Sequence, residues 1–211
     1  MDERPETRVA TSRWVQITRA DPEHSRRYID RFRSMAAAGD DLDGEARLID
    51  AMAPRRARIL DAGCGPGRVG GALAACGHDV VGIDVDPELI AAAQEDHPGP
   101  RWLVGDLALM DLPSIGIDAR FDIVVCAGNV LTFLAPSTRR DVLERFRTHV
   151  REDGRIVVGF GAGRDYGFGE FATDVGQAGL LIEVRSASWD LHPFGDESDF
   201  LVAVLSADAH A

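Results

Sequence analysis

Residues 59–70, ILDAGCGPGRVG, constrain this chain more than any other stretch. A short apolar run carrying Asp61 ends in Gly63, Gly65 and Gly67, and a stretch rich in small residues follows. The pattern predicts a buried strand that turns sharply into a helix. Glycine at such a turn lets the backbone approach a ligand closely. The helix start behind it offers free amides and a partial positive charge to an anion. A turn that only packs strand on helix needs one or two glycines, so three point to a ligand cradle.

The rest of the chain fits around that cradle. From residue 58 onward apolar strands and helical stretches alternate. Strands are predicted at ARILDAG, HDVVGID, RWLVGD, FDIVVCAG and GRIVVGF, with helices over 68–76, 87–96, 136–150 and 170–179. A loop with some turn content covers 107–120. LLIEVRSASW and DFLVAVLSA close the chain as two strands joined by DLHPFGDES. Alternation of this kind, with nearly continuous apolar strands, predicts a parallel sheet covered on both faces. The last strand pair adds an antiparallel edge. Before residue 54 the reading is helical: one helix opening at Asp21-Pro22-Glu23, where Asp21 would cap, and stopping at Gly39. A second runs from Gly44 to Met52. Residues 1–20 read as loose, with Trp14 as a docking or lid residue, and the tail 207–211 as frayed. The domain reading is one unit: a helical lid over 1–53, a core over 54–206 and the tail.

Composition removes several classes of function. The formal net charge is -12, which disfavours nucleic acid and anionic membranes as partners. All basic residues are arginine; the chain has no lysine. The phosphate-loop, Schiff-base and kinase lysines are therefore excluded, and no G-x-S-x-G elbow marks a hydrolase. Cys64, Cys76 and Cys126 are too widely spaced for a zinc site and read as reduced thiols. No signal region or membrane span is apparent. The expectation is a cytoplasmic protein with a small-molecule substrate and no metal; homodimer formation stays open.

Two fingerprints overlap at the glycine turn. Gly65-Pro66-Gly67-Arg68-Val69-Gly70 matches the dinucleotide pattern, with Asp84 near its ribose acid. Its register is awkward, because the chain already turns at Gly63. The spacing Asp61-x-Gly63-x-Gly65-x-Gly67 resembles instead the first motif of the class I S-adenosylmethionine-dependent methyltransferase family. Asp84 after VVGI, Gly105-Asp106 on the third strand, and FDIVVCAG followed by Asn129 resemble its further motifs in order. The resemblance covers about residues 55–206. It implies a Rossmann-like α/β fold, doubly wound, with seven strands in the order 3-2-1-4-5-7-6 and the last strand antiparallel. It also implies S-adenosyl-L-methionine as cofactor.

On that resemblance Asp84 would accept hydrogen bonds from both ribose hydroxyls, and Val85 would lie against adenine. Asp106 would accept from the adenine amino group with Leu107 packing nearby. Asp61 would orient the glycine loop and could reach the cofactor's amino group through water; backbone at Gly63 and after Cys126 would hold the amino-acid end, and Cys64, Gly65, Gly67 and Cys126 complete the expected cofactor-binding set. Asn129 should face the methyl group. It and Tyr166 are the catalytic candidates; Tyr166 and Arg164 lie on the glycine-rich loop after the fifth strand, which either contacts substrate or is plain surface. Gly128-Asn129-Val130-Leu131 departs from the Asn/Asp-Pro-Pro-Tyr/Phe pattern of enzymes that methylate base or amide nitrogen. His192 reads as a turn histidine. The implied activity is methyl transfer to a small-molecule acceptor. The alternatives are a nicotinamide-dependent oxidoreductase and a non-catalytic adenosylmethionine-binding protein.

Overall fold

A computed structural model of the chain describes residues 9–117 and 120–207. The frayed tail expected at 207–211 lies outside these apart from Ala207, as do residues 1–8 of the expected loose start. Five parallel strands follow the predicted alternation: β1 (Arg58–Ala62), β2 (Asp79–Asp84), β3 (Arg101–Val104), β4 (Phe121–Cys126) and β5 (Val150–Gly161). β6 (Leu180–Ser186) and β7 (Phe200–Ala207) complete a seven-stranded sheet in the order β3-β2-β1-β4-β5-β7-β6, with β7 antiparallel to both neighbours. The implied topology is realised.

Strand residues feed both faces of the sheet by period-two alternation. Ile59, Ile123, Val125 and Val157 join one apolar layer with Val69 and Leu73 of α4 (Arg68–Ala75) and Ile49 of α3 (Gly44–Met52). Leu60, Val124, Ile156 and Val158 join the other with Val142, Leu143 and Phe146 of α7 (Arg139–His149). These α7 positions recur at helical spacing, which is why RRDVLERFRTH is a helix despite its charge. Phe146 is fully buried, and cutting it to alanine would cost about 3–5 kcal/mol.

The glycine of VVGID has a packing cause. A Cβ at Gly82 would stand 2.3 Å from the Trp102 ring, so β2 needs glycine where β3 lays its indole across it. α5 (Pro87–Asp96) begins as its sequence demands. Asp86 accepts from the Glu88 amide at 2.9 Å, and Pro87 and Glu88 fill the first turn. α8 (Phe168–Gln177) follows the loop after β5.

The N-terminal segment departs from expectation in two places. Residues 13–20 are not loose: they form α1 (Arg13–Ala20), capped by Ser12. α2 (His24–Ala38) starts at His24, and Asp21 does not cap it; the Asp21 carboxylate takes the Arg27 guanidinium instead. A charged partner six residues on outcompetes a neutral amide. The stop at Gly39, in a left-handed conformation, and the limits of α3 are as predicted. A further short helix, α6 (Val130–Phe133), was not anticipated, because four residues carry no period. No helix among the described residues is long and apolar enough to cross a membrane.

Candidate functional site

The carboxyl ends of β1, β2, β3 and β4 open on one cavity of about 570 Å³, where open α/β sheets bind ligands. Its floor is the glycine turn. Gly63 has φ +79°, and a Cβ there would lie 2.5 Å from the Val130 methyl groups. Only glycine satisfies both conditions. The amides of Gly63 and Cys64 both donate to the Ile83 carbonyl, at 2.8 and 3.1 Å, which ties the turn to β2.

Two buried carboxylates lock the loop. α4 starts on Gly67, which has no side chain to cap it, and Asp61 of β1 does that job. Its Oδ2 accepts from the Gly70 amide at 2.8 Å. Asp84 accepts from the Gly65 amide at 2.9 Å through Oδ2 and from the Asp86 amide at 3.0 Å through Oδ1. Burial pushes Asp61 up to about 7 and Asp84 up to about 6, with the amide hydrogen bonds pulling the other way. Each Asp84 oxygen accepts one amide and so keeps capacity for another donor.

Asp61, Gly63, Cys64, Gly65, Asp84, Val85, Asp106 and Leu107 all line the cavity. Asp106 also accepts from the Ala108 amide at 2.9 Å, capping a single 3-10 turn. Gly67 and Cys126 do not line it. Gly67 faces Ala93 and Trp102, and Cys126 is buried in the sheet, its thiol pushed up by burial; the wall begins one residue later, at Ala127.

At the far wall stands Asn129, at φ +66°. Its Oδ1 accepts from the Gly161 amide at 2.8 Å, bridging the ends of β4 and β5. Arg164 also lines this wall. Tyr166, the second catalytic candidate, does not: its ring stacks on Phe160 inside the core, and its hydroxyl donates to Asp174 at 2.7 Å. Burial, then this carboxylate, pushes its ionisation far above the usual phenol range. His192 is an exposed turn residue beside Asp190 and lines no part of the cavity.

The cover comes from the N-terminal helices. Trp14 of α1 donates its indole N–H to Asp86 at 2.8 Å and meets the rings of Tyr28 and Phe133 edge-on. Arg68 pairs with Glu45 of α3, at 2.8 Å through Nη1. Burial opposes the charge on Glu45, yet the Arg68 hydrogen bonds hold it below the usual range. Phe133 and this ion pair were missed from sequence. Phe133 follows an irregular turn, and Arg68 and Glu45 lie 23 residues apart with no local pattern to join them. All three cysteines are free.

The chain is similar to known proteins in sequence and in fold. Residues 59–154 match a family model described as a methyltransferase domain. The chain is 51% identical to a TehB-like SAM-dependent methyltransferase from Corynebacterium glutamicum. The match covers 89% of this chain and 100% of that one, with a TM-score of 0.84. It is 33% identical over 151 residues to magnesium-protoporphyrin O-methyltransferase of Rhodobacter capsulatus, covering 67% of this chain and 62% of the relative. To the putative methyltransferase YqeM of Bacillus subtilis it is 32% identical over 127 residues, 57% of this chain and 50% of the relative. The chain spans about half the length of the curated relatives it matches. The turn at Gly63, the acids at the ends of β1 and β2, the strand order and these likenesses agree: the chain belongs to the class I S-adenosylmethionine-dependent methyltransferase family.

Proposed function

We propose that this chain transfers a methyl group from S-adenosylmethionine to a small-molecule acceptor by in-line displacement. The observation that carries the reading is the buried Asp84 carboxylate on the cavity wall, each oxygen with acceptor capacity to spare. The residues present fit an adenosyl and a methionine group. Asp84 would take the ribose hydroxyls, with Val85 and Leu107 packing on adenine and Asp106 reaching its amino group. On the cavity side of the turn, a Cβ at Gly65 would meet only Tyr28, at 4.0 Å, so that side is open for the amino-acid end. Asp61 would hold the α4 end in place rather than touch the ligand.

When bound, the cofactor supplies an electrophilic methyl group on a sulfonium. The chain's own task is then to place and enclose the acceptor. Positioning of this kind is worth about 7–11 kcal/mol. Helices α1–α3 would act as the lid, with Trp14 closing against Phe133. The test is release of S-adenosylhomocysteine from S-adenosylmethionine across a panel of small acceptors. Turnover with at least one acceptor, abolished by Asp84→Ala, is the expected result. Tight binding of NADH with none of S-adenosylmethionine would overturn the reading.

A further inference from the structure

Resting on that reading, we infer that Arg164 and the side-chain N–H₂ of Asn129 form an anchor for a carboxylate on the methyl acceptor. The Asn129 amide orientation is fixed by chemistry. The Gly161 amide can only donate, so the atom it meets must be the oxygen, and Nδ2 is left as a donor on the cavity wall. Among the described residues the Arg164 guanidinium has no hydrogen bond or ion pair, and it lines the same wall. The two groups flank Gly161: a Cβ there would lie 3.6 Å from Asn129 Oδ1 and 3.7 Å from Arg164 Nε. The missing side chain keeps the space between them open.

The loop carrying Arg164 is built to hold it. The Ala162 amide donates to the Asp199 carbonyl at 2.7 Å. Arg139, buried at 3% exposure, donates to the Asp165 carbonyl at 2.6 Å and to Glu170 at 2.9 Å. Its guanidinium lies 4.1 Å over the Tyr166 ring. These contacts give buried Tyr166 its task, and they fix the residues on the carboxyl side of Arg164.

The local charges suit an anion. Of the nearby acids, Asp165 is paired with Arg13 and Glu170 with Arg139, while Asp199 meets the loop through its backbone. The other acids of the cavity are also engaged: Asp41 is paired with Arg47 and Glu45 with Arg68, while Asp61, Asp84 and Asp106 hold main-chain amides at the β1–β3 end. Guanidinium and carboxylate match in shape and charge. Trp14 and Phe133, edge-on at 5.6 Å, line the same cavity and suit an apolar, planar body. The acceptor class is therefore a small planar carboxylate.

Benzoate and its neutral isostere benzamide are the probes, titrated by ligand-observed NMR into protein saturated with S-adenosylhomocysteine. Benzoate should bind at least about tenfold more tightly than benzamide, as one charge-assisted pair predicts. Arg164→Met should remove that preference, with benzamide and S-adenosylhomocysteine binding unchanged. Asn129→Asp keeps an acceptor for the Gly161 amide but swaps the donor for a second oxygen, and it should weaken benzoate binding. Absence of benzoate binding, equal binding of the two probes, or benzoate binding indifferent to Arg164→Met overturns the anchor while leaving methyl transfer standing. Failure of S-adenosylhomocysteine itself to bind removes the methyl-transfer reading, and the anchor with it.

Discussion

The two ends of the cavity are held by different kinds of bond. At the β1–β2 end, main-chain amides of Gly65, Gly70 and Asp86 fix two buried carboxylates, and the turn itself hangs from the Ile83 carbonyl. At the β4–β5 end the wall is made of side chains on α1, α6 and a loop, held by Arg139, Arg13 and ring contacts. Recognition through the main chain demands glycine at set positions and an acid at a strand end. Recognition through side chains leaves the sequence free, so an acceptor site can vary without disturbing the cofactor site.

Asp84→Ala should separate the ends most sharply. Two charge-assisted hydrogen bonds of about 1.5–3 kcal/mol each are lost, so affinity for S-adenosylmethionine should fall at least about a hundredfold by calorimetry. Because Asp84 also holds the Gly65 and Asp86 amides, circular dichroism should accompany the titration. If affinity barely changes while the fold persists, the β1–β2 end is not where the ribose sits.

Arg139→Met probes the other end. It removes a cation–π contact and leaves the Asp165 carbonyl without its donor. The Glu170 carboxylate is half exposed and can return to water, so the cost should be about 1–3 kcal/mol, or several degrees in thermal midpoint. S-Adenosylhomocysteine affinity should stay within about twofold, since no cofactor-end group is touched. A large loss of that affinity would mean that the two ends are coupled.

A third test concerns pH. Burial raises folded Asp84 from 3.8 to about 6, so this group's contribution to stability is full below pH 3.8 and is lost as pH rises through 6. Burial lowers His97 and His149, and these act in the opposite sense near neutrality. Subtracting the thermal profile of Asp84→Asn from that of the wild type isolates the carboxylate. The difference should favour the wild type at pH 4 and shrink by pH 7. Over the same window S-adenosylmethionine affinity should rise in the wild type, as the ribose-binding carboxylate ionises, and stay flat in Asp84→Asn. A wild-type affinity independent of pH would show that Asp84 titrates outside this range.

The same contrast explains what could be read before the fold was known. The turn at Gly63 and the limits of α3 and α5 were legible because each follows from local chemistry within a few residues, whereas strand order was implied only by the family resemblance. Much of the wall at the β4–β5 end was not legible. Phe133 sits on a four-residue helix without periodicity, and Trp14, expected to dock or form a lid, sits on a helix that the sequence read as loose. Tyr166 looked like a ligand residue because it follows β5. Only the fold shows its hydroxyl turned inward to Asp174 and its ring beneath Arg139. Arg164, on the same loop, faces the cavity instead, and no pattern in GAGRDYG tells the two apart.

A crystal structure with S-adenosylhomocysteine bound measures the central claim most directly. The account predicts both ribose hydroxyls on the Asp84 carboxylate, adenine between Val85 and Leu107, and the sulfur directed toward Asn129. A nucleoside seated away from Asp84, or a sulfur pointing out past Leu107, would contradict it.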